Sequence, residues 1–109
     1  MGFAASQARF LMLTARKSDL ELQGQFINQQ RMFLANISQN LFTTASNLEP
    51  DSREMAQINL RIQALQALDK ALEIQLNRVD TQQEAVRTEI EAVRKVIGKN
   101  IAGTYKTFA

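Results

Sequence analysis

A chain of 109 residues with no histidine and no cysteine lacks the usual nucleophile and base pairs, the preferred ligands of transition metals and any disulfide. Its formal charge of +2 is not gathered into a cationic run, so the electrostatic footprint of a nucleic-acid-binding protein is missing. Hydrophobic residues at 45%, charged residues at 22% and a single proline predict one folded helical domain rather than a disordered segment.

The segment Met1 to Leu13 is apolar but interrupted by Ser6, Gln7 and Arg9, so no secretory signal is expected there, and no stretch of the sequence is long enough to span a bilayer. An exported protein with this start would leave by a route that cleaves no signal peptide. Phe3, Phe10, Leu11, Met12 and Leu13, flanked by Arg9, Arg16 and Lys17, suit contact with a membrane surface. Packing into an oligomer would use the same residues, and is the preferred expectation.

Pro50 is the only strong helix breaker, in Ser46-Asn47-Leu48-Glu49-Pro50-Asp51-Ser52. Asp51 or Ser52 can cap a following helix, and Glu54 stands at capping-box distance from Asp51. The expected organisation is a single domain over 1–109: a helix from about Ala4 to Asn47, a turn over 48–51, and a helix from about 52 to 102 with continuation toward the end. At 1.5 Å per residue each helix would be roughly 65–70 Å long. The fold class is all-α, a long antiparallel two-helix hairpin of coiled-coil type that assembles further through its helices.

The seam of that hairpin is the strongest pattern in the chain. Ile58, Ile62, Leu65, Asp69, Leu72, Leu76, Val79, Gln83, Val86, Ile90, Val93 and Ile97 follow one another at alternating steps of four and three, the spacing of a helix lying along another helix. The first helix offers Leu13, Leu20, Ile27, Leu34, Leu41 and Leu48 at every seventh position. Its companion row is poorer, running Phe10, Lys17, Gly24, Arg31, Ser38 and Ala45. Gly24 costs about 1 kcal/mol relative to alanine and allows a bend or a close crossing there. Asp69 and Gln83 are polar groups in seam positions, either tolerated at partly wet sites or setting register and oligomer number.

Outside the seam the two helices differ. From Leu22 to Leu48 the only charged residue is Arg31, and the surface is built from Gln25, Gln29, Gln30, Asn36 and Asn40 with the rings of Phe26, Phe33 and Phe42. Amides can bond across an interface without the cost of desolvating an ion. These residues, with Phe3 and Phe10 at one end and Ile101, Tyr105 and Phe108 at the other, are the expected subunit interface. The second helix reads as a wet surface of alternating sign, including Lys70, Glu73, Arg78, Asp80, Glu84, Arg87, Glu91 and Lys95. No enzyme activity, cofactor or metal is expected.

The turn Leu48-Glu49-Pro50-Asp51-Ser52 and the segment Gln30-Arg31-Met32-Phe33-Leu34-Ala35-Asn36-Ile37-Ser38-Gln39-Asn40 resemble, respectively, the turn of type III secretion needle proteins and the asparagine-rich N-terminal helices of bacterial axial proteins such as flagellin and rod subunits. The first helix is longer than in needle proteins, and the chain ends in Thr107-Phe108-Ala109 rather than an isoleucine-rich tail. What the resemblance implies is an exported structural subunit that stacks helically into an extracellular filament or tube, with copies of itself as partners and an export chaperone as an occasional one. The alternative is a cytoplasmic adaptor, chaperone or scaffold whose hairpin pairs into a four-helix bundle dimer.

Overall fold

In the computed structural model, residues 2–108 are described, with side chains through residue 103. Two helices account for all of these but Gly2 and the turn over 46–52: α1, Phe3–Ala45, and α2, Arg53–Phe108. Neither contains proline. Gly98 and Gly103 stand within α2 with nothing near the place a Cβ would occupy, so they reduce helix propensity without stopping the helix.

The ends of the helices follow from side-chain competition for the backbone. At the end of α1 the Ser46 hydroxyl and the Asn47 amide both donate to the Thr43 carbonyl, at 2.7 and 3.3 Å. The last backbone bonds tighten to three-residue steps, Asn47 N–H to Thr44 and Leu48 N–H to Ala45. α1 therefore stops two residues before the expected Asn47. Across the turn, Ser52 is the residue that caps α2: its Oγ accepts the Met55 N–H at 3.1 Å.

The chain forms two compact units, a terminal unit of Met1–Gln23 with Val79–Ala109 and a turn unit of Gly24–Arg78. In the terminal unit, Leu13 and Leu20 of α1 and Val79, Val86, Ile90 and Val93 of α2 are buried. Removing such a side chain from water is worth about 1.5–3 kcal/mol. Ser6 continues the same row of α1 and is fully buried, its Oγ without a hydrogen-bond partner among the described residues. Phe10 is half-buried beneath the Arg94 guanidinium, 5.5 Å from the ring centroid, and Arg9 forms an ion pair with Glu89.

In the turn unit, Ala45, Ile58 and Ile62 form a core with Leu41, Leu48 and Met55 packed against it, and Ile27 is buried further along α1. Leu34, Leu65, Leu72 and Leu76 are only half-buried. The companion row accounts for part of this: Gly24 and Ser38 are too short to roof over a leucine on the facing helix. The contacts run antiparallel, since the partners of Arg9, Arg31 and Ala45 are Glu89, Asp69 and Ile58. All the α2 seam positions from Ile58 to Ile97 are buried or half-buried, as are the α1 positions at every seventh residue from Leu13 to Leu41 and Leu48 in the turn.

Candidate assembly surface

The turn unit presents more large apolar side chains to solvent than its own two helices can cover. On α1, Phe26 is 61% exposed, Phe33 65% and Phe42 55%, and Met32 is as open. Gln25, Gln29, Gln30, Asn36 and Asn40 surround them, all exposed. On α2, Leu60, Leu68 and Ile74 are exposed as well.

The α2 residues show a pattern distinct from the main seam. Leu60, Ala64, Ala67, Ala71 and Ile74 recur at steps of four and three on the outer face of the helix, and each of them is exposed. The turn-unit portion of α2 therefore carries an exposed apolar stripe beside the charges of alternating sign expected from its sequence. The signal was available in the spacing, but three of the five residues are alanines, whose side chains contribute little to a hydropathy pattern.

Met32, Phe33, Phe42, Leu68 and Ala71 border two grooves, both inside the turn unit. One, of about 600 Å³, has Leu34, Ile62 and Leu65 in its lining, with Met32, Phe42 and the pair Arg31 and Asp69 along it. The other, of about 430 Å³, has Leu34 and Leu72 in its lining, with Phe33, Leu68 and Ala71 along it and Gln29, Gln30 and Gln75 around it. Leu34 lines both. Helical spacing puts Arg31, Ala35 and Phe42 on one side of the Leu34 row and Gln30 and Phe33 on the other, so the grooves occupy opposite flanks of the helix pair, an ion-pair flank and an amide flank.

The ion pair joins two residues that stand out separately in the sequence. Arg31, the sole charge of the Leu22 to Leu48 segment, gives its Nε–H to Asp69 Oδ1 at 2.9 Å and an Nη2–H to Oδ2 at 3.3 Å. Asp69 occupies a seam position and Arg31 the companion row opposite it. The two side chains are about one third exposed, 32% and 40%. The hydrogen bond from Arg31 holds the Asp69 carboxyl below its ordinary value, and the same bond raises the Arg31 guanidinium above its own. Two parallel N–H bonds to one carboxylate fix orientation as well as attraction. The pair therefore marks a register in the middle of the unit. Gln83, the other polar seam residue, is half-buried in the terminal unit.

The remaining expected interface residues belong to the terminal unit. Phe3 and Ile101 are partly exposed, Phe10 packs under Arg94, and the side chains of Tyr105 and Phe108 lie outside the described residues. Leu11 and Met12 are as exposed as Phe33. No helix is long and apolar enough to cross a membrane, and no group of histidine, cysteine, aspartate and glutamate could hold a metal ion, among the described residues.

Comparison with protein-family models, with curated proteins and with solved structures finds no match to this chain.

Proposed function

We propose that this chain is a structural subunit that joins copies of itself through the turn unit. The observation that carries the reading is the presence of apolar surface on both flanks of one helix pair, Phe33 with Leu68 on one and Met32 with Phe42 on the other. A closed two-fold contact through either flank would leave the other uncovered, whereas an open series of contacts covers both. The resemblance of the turn and the amide-rich helix to bacterial axial proteins extends the reading to an exported subunit forming an extracellular filament or tube. No enzymatic step and no cofactor belong to this function.

Light scattering and negative-stain microscopy of the purified protein over a range of concentrations test it. Particles should grow with concentration, and uniformly small particles at the highest concentration would overturn the reading. Phe33→Glu should block growth with helicity retained by circular dichroism, and Ala92→Glu, which adds the same charge at an exposed site of the terminal unit, should leave growth unchanged.

A second reading is favoured by the amide flank alone. Its groove has no charged residue in its lining, so two hairpins could pair there into a four-helix bundle serving as an intracellular adaptor or scaffold. That arrangement gives one discrete mass in the same scattering experiment.

A further inference from the structure

We infer that the contact between copies is head to tail, with the amide flank of one copy docked on the ion-pair flank of the next. The inference rests on the self-assembly reading above and specifies the surfaces it uses.

Charge and hydrogen-bonding capacity discriminate between the pairings. The groove of the amide flank has no charged residue in its lining, only Gln29, Gln30 and Gln75 around its apolar residues. The ion-pair flank carries Arg31 and Asp69, each still partly in water. Two ion-pair flanks placed face to face would desolvate four charged groups and offer them only one another, a costly exchange. Two amide flanks could meet without that cost, but every ion-pair flank, with Met32 and Phe42, would stay bare. Amide flank on ion-pair flank does better on both counts. Arg31 spends two of the five N–H donors of a guanidinium on Asp69, so a glutamine carbonyl can accept from the others while a glutamine N–H donates to the carboxylate.

Shape agrees with charge. Phe33 stands out from the amide flank, and the groove of the ion-pair flank, about 600 Å³, is the larger of the two. Met32 and Phe42 stand out from the ion-pair flank and can enter the amide groove of about 430 Å³. Each flank thus has a projection and a recess, the arrangement by which large and small positions interdigitate across helices. Because the flanks are on opposite sides of the Leu34 row, the contact uses different patches on the two copies and repeats without requiring a two-fold axis.

Mixing variants decides the matter. Phe33→Glu disables the amide flank and Phe42→Glu the ion-pair flank; both rings are more than half exposed, and the added charges have the same sign, so the variants gain no attraction for each other. Each variant alone should be monomeric by analytical ultracentrifugation, and the equimolar mixture should form a one-to-one pair through the remaining intact flanks. A variant that dimerises alone, or a mixture that stays monomeric while wild-type protein assembles, overturns the head-to-tail contact. Wild-type protein that remains monomeric defeats the self-assembly reading itself, and this inference with it. Leu68→Gln and Met32→Gln form a second pair with the same expected outcomes should either phenylalanine variant lose helicity.

Discussion

The terminal unit and the turn unit use the same seam and finish it differently. In the terminal unit, Leu13, Leu20, Val86 and Val93 are closed off from water, and much of the exposed α2 surface there is charged. In the turn unit, Leu34, Leu65, Leu72 and Leu76 are half-covered, and phenylalanine, leucine and amide side chains make up much of the surface. A heptad seam is enough to pair two helices, but the residues around it decide whether the pair is complete. The terminal unit encloses more of its seam, though Leu11, Met12 and Leu22 stand exposed on it, and the turn unit leaves apolar side chains exposed on both of its helices.

The largest expected effect on this contrast comes from cutting into the better-closed core. Leu20 is 2% exposed, so Leu20→Ala should cost about 2–5 kcal/mol in urea unfolding followed by circular dichroism. Leu34→Ala, at a half-buried position of the turn unit, should cost less in dilute protein. Equal losses would show that the two units are closed to the same degree.

A smaller effect separates the units by pH. The folded Asp69 carboxyl is held below its unfolded value by Arg31, so its contribution to stability is fully present above the unfolded carboxylate range, near pH 4, and is lost as pH falls through the lower folded value. Thermal unfolding of wild-type protein at pH 7 and at pH 3 should therefore differ by more than that of Asp69→Asn. The same pH dependence in both proteins would show that Arg31 gives Asp69 no stabilising preference for its charged form.

Much of this contrast can be traced to the sequence, and the rest depends on register. The seam from Ile58 to Ile97 stands out because four-three spacing sustained over so many turns suits a helix packed along a helix and little else. Arg31 and Asp69 are each conspicuous alone, one as an isolated charge and the other as an acid in an apolar row. Their pairing depends on how far α1 slides along α2, which no single helix encodes. The end of α1 at Ala45 turned on which side chains captured the Thr43 carbonyl, a competition that propensity does not resolve. The outer stripe of α2 was hidden by its alanines. Phe10 has an apolar ring suited to an interface, but the position of Arg94 above it becomes apparent only once the helices are aligned.

The short turn from Ser46 to Ser52 also sets an order of events. Ala45 and Ile58 are near neighbours along the chain, whereas Arg9 and Glu89 are 80 residues apart, and loop-closure entropy favours the nearer contacts first. Zipping from the turn, the chain completes its turn unit while the segments of the terminal unit are still being brought together. Pulse-labelled hydrogen exchange during refolding should protect amides around Ile62 before those around Val86; the reverse order would exclude zipping from the turn. In the proposed assembly, a nascent chain that closes in this sequence would present its flanks to a second copy before its last helical turns have been made.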